Sequence, residues 1–207
     1  MHVASLAAGL LLATLTAGTL FVQDARPERF AHPLPKDADG GMARWIATCK
    51  PGAPHERLKE LLGSYDIVTR IWMAPGQPPM ELKAAGEFSW LAEGKWIELK
   101  WAGTMMNGKE GNGLWVLGYD NFKERYVATM IDSMQTCMNA ASGHFDASGD
   151  NLILWGTVDE PMTPEQDKTV KYVYRGFGKD AFTFEIHDMM IGESNTKVVE
   201  LGFTRKK

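Results

Sequence analysis

The sequence predicts an all-β protein: about ten antiparallel strands in an up-and-down barrel, with one short capping helix before strand one. Three observations carry this. The first is Gly113–Met138, GLWVLGYDNFKERYVATMIDSMQTCM, where runs Gly113–Tyr119 and Arg125–Ser133 flank a polar turn, Asp120–Glu124. In the second run Tyr126, Ala128, Met130 and Asp132 alternate with Val127, Thr129, Ile131 and Ser133. A period of two between turn residues is a strand, and the pair is a hairpin. The second observation is recurrence. Further runs are Tyr65–Met73, Met80–Leu91, Lys95–Met106, Thr136–Phe145, Asn151–Asp159, Val170–Phe177, Ala181–Met190 and Lys197–Arg205, and the first hairpin's Trp115 strand begins near Gly111. The third is that no helical segment interrupts them. Short loops such as Asn107-Gly108 and Gly178-Lys179-Asp180 make consecutive strands antiparallel neighbours. Closing the sheet removes its exposed edges, which favours a barrel over a sandwich.

The chain has 207 residues, enough for one domain with a sizeable core. A net charge of -4 argues against nucleic acid, whose binding leaves a basic footprint. The 7 Trp and 12 Met supply large apolar surfaces and adaptable ones.

Residues 1–25 read as a signal peptide or an N-terminal anchor. Val3–Val22 carries no charged residue. Such a start is an export signal in most proteins, although a basic leading region is missing. An uncleaved anchor is the rival, since about 20 apolar residues can cross a bilayer. Membrane contact is expected only through this segment. Either way the folded part is expected outside the cytoplasm, periplasmic or extracellular. There a Cys49–Cys137 disulfide is permitted, with unpaired thiols as the alternative. Residues 26–54, rich in Pro, Gly and charge, read as a flexible linker, with Met42–Cys49 apolar enough to pack on the domain.

The barrel domain spans 55–207. It opens with HERLKELLGSY, preceded by Pro54 in the first turn of a helix and ended by Gly63. Leu58, Leu61 and Leu62 share a face. About two turns of helix are unstable alone, so the leucines must cap the sheet. Parity gives two faces per strand. Ile97, Leu99 and Trp101 oppose Trp96, Glu98 and Lys100; Phe182, Phe184 and Ile186 oppose Thr183, Glu185 and His187. The apolar set is expected inside.

From His55 to Arg205 the chain resembles the bacterial family called domain of unknown function 1579. The matching pieces are HERLKELLGSYDI, WMAPGQPPM, LGYDNFKERYVATMIDSM, GHFDASG and the closing GFTRKK. The resemblance implies a calycin-like (lipocalin-like) barrel and no activity. Calycins place Gly-x-Trp at the start of strand one, with an Arg of the last strand over the ring. Gly63-Ser64-Tyr65 and Arg205 stand in those positions, with Tyr in place of Trp. Gly63, Tyr65 and Arg205 are thus expected to be structural, the cation closing the barrel base.

Candidate chemistry is sparse. Asp132 ends an apolar strand; it either faces a cavity or caps the turn into Thr136. Glu185 and His187 share a face and would form an acid–base pair if inward. A two-residue turn at Lys179-Asp180 would set Glu185 opposite Tyr174 and His187 opposite Tyr172. Met130, Met134, Cys137 and Met138 suggest a thioether-lined cavity ahead of a soft-metal site. A haem would need His144 or His187 on the cavity wall. Asp146–Asn151 is a hairpin turn; it lacks the distal Glu of a calcium loop. No nucleophile elbow, zinc-protease motif or phosphate loop is present. No catalytic residue, metal or cofactor is therefore expected. The expected function is an exported, non-enzymatic barrel binding a small, mainly apolar molecule. Candidate wall residues are Trp72, Trp96, Trp101, Met106, Trp115, Met130, Asp132, Phe184, Glu185 and His187. One alternative is an enzyme using Asp132, Glu185 and His187, which must then converge. Another is a structural or interaction domain with a packed interior.

Overall fold

The computed structural model describes residues 38–74, 76–92, 94–189 and 196–207. The Val3–Val22 segment, its cleavage and the linker up to residue 37 lie outside the described residues. Within the rest of the expected linker, Ala38–Thr48 forms a helix, α1. Its alanines together with Met42 and Ile46 are good helix formers, and these outweighed the Gly40-Gly41 pair. Asn121 ties its end to the barrel by donating to the carbonyls of Thr48 and Lys50.

The capping helix is α2 (Ala53–Glu56), continuing as a 3₁₀ turn over Arg57–Leu61. Ten strands follow: β1 (Gly63–Ile71), β2 (Met80–Ala92), β3 (Trp96–Thr104), β4 (Glu110–Asp120) and β5 (Arg125–Asp132), then β6 (Asn139–Phe145), β7 (Asn151–Glu160), β8 (Glu165–Arg175), β9 (Ala181–Asp188) and β10 (Thr196–Arg205). Each pairs antiparallel with its sequence neighbours, and β1 pairs with β10, so the sheet closes into a barrel.

Two boundaries differ from the sequence reading for physical reasons. Strand β6 starts at Asn139, because the Asp132 carboxylate accepts the amides of Met134 and Gln135 and turns the chain there. Strand β8 starts at Glu165, a polar stretch without apolar alternation that ladder pairing with β7 holds extended. The β8–β9 connection runs from Gly176 to Asp180, longer than the two-residue turn expected. The register therefore moves by one: Tyr172 faces Ile186, Tyr174 faces Phe184, and Val173 and Lys171 face Glu185 and His187. A shift of one residue exchanges the faces. The two tyrosines thus stand inside with Phe184, not beside the acid and imidazole.

The closed end lies where β1 begins and β10 ends. Leu58 and Leu61 are fully buried there over Tyr65, Phe88, Phe182 and Phe203. Phe182 and Phe203 stack at 4.6 Å, and Tyr65 meets both edge-on. The last carbonyls of the helix lack helical partners and find others. Tyr65 Oη donates to the Leu61 carbonyl at 2.9 Å; Arg205 donates to those of Glu60 and Leu62. The Arg205 guanidinium lies 4.9 Å from the Tyr65 ring centroid. Gly63 holds φ +126°, and a Cβ there would stand 2.8 Å from Arg205 Nη1, so glycine is required. Arg57 lies 3.8 Å over Phe145 and donates to the Gly149 carbonyl, and Tyr126 Oη donates to that of Pro54. His55 is buried against Tyr119 and accepts the Gly52 amide; it is a packing residue.

Candidate ligand-binding site

Among the described residues, no helix caps the opposite end of the barrel. An apolar cavity of about 150 Å³ opens there between β10, β1, β2 and β3. Its deep wall is Ile67, Leu99 and Leu201, and its upper wall is Thr69, Ile71, Leu82, Ala84 and Trp101. Met105, Met106 and Met134 reach over it from the β3–β4 and β5–β6 connections. Below, Trp115, Phe184, Tyr172 and Tyr174 fill the barrel axis. Phe184 lies 4.8 Å from both Trp115 and Tyr174. The cavity is thus the upper part of an interior whose lower part is solid aromatic packing.

Strand parity and glycines shape this wall. Trp101 lies flat over Gly113 of β4, where any Cβ would strike the indole. Lys83 borders the cavity but is exposed and belongs to the outward parity of β2. On the far side of the mouth, Lys168 and Asp188 have the inward parity of their strands. They pair at 2.7 Å, with Glu165 2.9 Å from the same ammonium. Hydrogen bonds to Asp188 and then Glu165 raise the Lys168 pKa. One ammonium is thus shared by two carboxylates, and none of the three lines the cavity.

The ten sequence-derived candidates scatter. Trp101 and Met106 line the cavity. Trp115, Met130 and Phe184 are packed in the core beneath it. Trp72 lies outside the wall, with Lys197 Nζ 5.2 Å from its ring. Trp96 is also outside, flat against Gly118. Asp132 spends its carboxylate on the turn amides and the Gln135 side chain.

Glu185 and His187 do meet, Oε2 to Nε2 at 2.9 Å, but on the outer parity of β9. They are nonetheless only 5% and 9% exposed, so outward is not solvated here. Arg175 donates to both Glu185 oxygens and Lys197 stands 3.8 Å away. Burial pushes the Glu185 carboxyl up, but the bonds from Arg175 and His187 outweigh it and hold the carboxyl below its ordinary value. The pair is an element of the outer wall, separated from the cavity by the sheet. Asp132, on the inner parity of β5, does not join it. The convergence an enzyme would need is absent.

His144 is exposed, so neither strand histidine reaches the interior. Met130 is buried in the core while Met134 and Met138 are exposed, so the soft-metal cluster does not assemble. Both cysteines are free thiols. Among the described residues no three His, Cys, Asp or Glu side chains are grouped as a metal site would need.

Most lining residues were not among the wall candidates: Ile67, Thr69, Ile71, Leu82, Ala84, Thr104, Met105 and Leu201, while parity turns Leu99 inward and the thioether reading includes Met134. The signal for the first three was present. Once Tyr65 is placed inside over Arg205, a period of two sends Ile67, Thr69 and Ile71 inward with it.

Residues 50–205 match the model of a family described as protein of unknown function (DUF1579). The chain belongs to this family. Among solved structures, it is similar to the crystal structure of Rv2717c from M. tuberculosis. That match has 16% identity and a TM-score of 0.56, and covers 76% of this chain and all of that one. The likeness shows a shared fold. A redesigned β-barrel, b11L5F_LGL, aligns at 10% identity over 73% of this chain and 96% of its own, with a TM-score of 0.38, too low to bear on the comparison. No curated protein matches the chain.

Proposed function

We propose that this protein is a non-enzymatic barrel that binds a small, mainly apolar molecule at its open end. The observation that carries this is the cavity of about 150 Å³ walled by Ile67, Ile71, Leu82, Leu99, Trp101 and Leu201. Apolar cavities of about this size take up benzene-sized guests, and this one opens at the barrel mouth, where a guest can enter. A purely structural barrel has no use for it, since a void forfeits the contacts of the atoms that line it. The missing convergence of Asp132, Glu185 and His187 weighs against the enzyme reading. The charge-free Val3–Val22 segment supports export, and on that reading the binding takes place outside the cytoplasm.

Native mass spectrometry on the domain purified from its own host, followed by denaturing extraction, tests the reading. A retained apolar molecule is the expected result. A bare protein that also fails to take up benzene in solution overturns it.

A further inference from the structure

The methionines are distributed unevenly. Met73 and Met80 flank the β1–β2 connection, Met105 and Met106 lie between β3 and β4, Met134 and Met138 between β5 and β6, and Met162 between β7 and β8. All of these connections are at the cavity end. The connections at the closed end, 93–95, 121–124, 146–150 and 176–180, hold no methionine. Five of the rim thioethers, Met73, Met80, Met134, Met138 and Met162, are between 39% and 69% exposed. A ring of flexible apolar side chains in water is a surface that adapts to a guest.

Size and charge then decide the guest and its orientation. The cavity, at about 150 Å³, is below the roughly 300 Å³ at which drug-sized pockets begin, so it holds only part of a larger molecule. Its depth offers Ile67, Leu99 and Leu201 and no charged group. The interior cation nearby, Lys168, is already bonded to Asp188 and Glu165. A charged or strongly hydrated head seated at the bottom would be desolvated without a partner, a cost of several kcal/mol by general transfer data. The aromatic packing under the cavity closes any route deeper.

Resting on the binding reading above, we infer that the ligand is a single-tailed amphiphile seated tail first. The apolar end fills the cavity, the next part of the chain lies against the methionine rim, and the polar head stays in water.

The test uses benzene, hexyl glucoside, hexyl maltoside and the shorter butyl glucoside, all below micelle formation, titrated by calorimetry into the full domain. Hexyl glucoside and hexyl maltoside are expected to bind within about twofold of each other, because the second sugar never enters. Butyl glucoside is expected to bind weaker by roughly fourfold for each missing methylene. With methionine, leucine and isoleucine methyls labelled, sugar protons should show magnetisation transfer to the rim methionine methyls, and the terminal methyl of the tail should show it to Leu99 and Ile67. A maltoside more than tenfold weaker than the glucoside, or the reverse transfer pattern, overturns the orientation while leaving the binding reading intact. Benzene binding without any glucoside binding overturns it equally. Failure of benzene and glucosides alike removes the binding reading itself.

Discussion

At the closed end of the barrel, side chains come with their partners. Tyr65 has three phenylalanines, a guanidinium and a helix carbonyl; Arg205 has two carbonyls, Asp180 and a ring. At the open end, five methionines at or beside the described connections are well exposed, around the mouth of an apolar cavity. The same ten strands run through both halves. The difference teaches that dense packing and open space are divided along the barrel axis: one end fixes the fold, and on the proposed reading the other is left to take a guest.

This division can be broken most strongly at Phe203. Phe203→Ala is expected to cost about 3–5 kcal/mol, as large-to-small changes in packed aromatic cores do. Leu201→Ala, two residues along the same strand on the cavity wall, should cost less than half as much in the same urea titration. Equal losses would mean that the open half is as tightly packed as the closed half.

Gly63→Ala comes next. A Cβ meets Arg205 Nη1 at a backbone angle that L-residues rarely adopt. Strain of this kind costs about 1–3 kcal/mol, so the midpoint of thermal unfolding should fall accordingly. Removing the guanidinium as well, in a double variant with Arg205→Ala, should cost less than the sum of the two single changes.

At the other end, Ala84→Phe places a ring in the cavity. Benzene affinity is expected to drop at least tenfold, about 1.4 kcal/mol. Circular dichroism should confirm that the fold is kept. Undiminished uptake would move the binding site elsewhere.

The smallest expected effect is an acid dependence belonging to the closed end. Asp146 accepts the Asn151 side-chain amide, and the Ser148 hydroxyl next, and these bonds pull its pKa down to about 2. A carboxyl depressed in the folded state contributes stability above its unfolded pKa, 3.8, and loses it as the pH falls toward about 2. Unfolding free energy should therefore decline across that window, and Asp146→Asn should flatten this part of the profile.

The period of two made the strands legible, and Gly63, Tyr65 and Arg205 made the barrel base legible, because both are local patterns or short motifs. The cavity was not legible, since a void is what remains after every neighbouring side chain has been placed. Trp96 and Trp101 show the difficulty. Both are tryptophans of β3, yet one lies outside on Gly118 and the other inside on Gly113. Glu185 and His187 show another. Parity placed them on the polar face, but only the neighbouring Arg175 and Lys197 make that face a buried one. The β8–β9 register failed by a single residue because Gly176 and Phe177 belong to the turn, where Phe177 packs beneath the capping helix.

The pairing of β1 with β10 has a kinetic meaning as well. Every other ladder joins consecutive strands, so those hairpins can zip from local contacts. The seam from Tyr65↔Arg205 to Ile71↔Val199 instead joins the two ends of the domain. Its loop-closure entropy must be met before its contacts repay it. Ring closure is thus expected to be the slow step of refolding. Truncating Val68 or Leu201 at the seam should therefore slow refolding, read from the folding limb of a urea chevron.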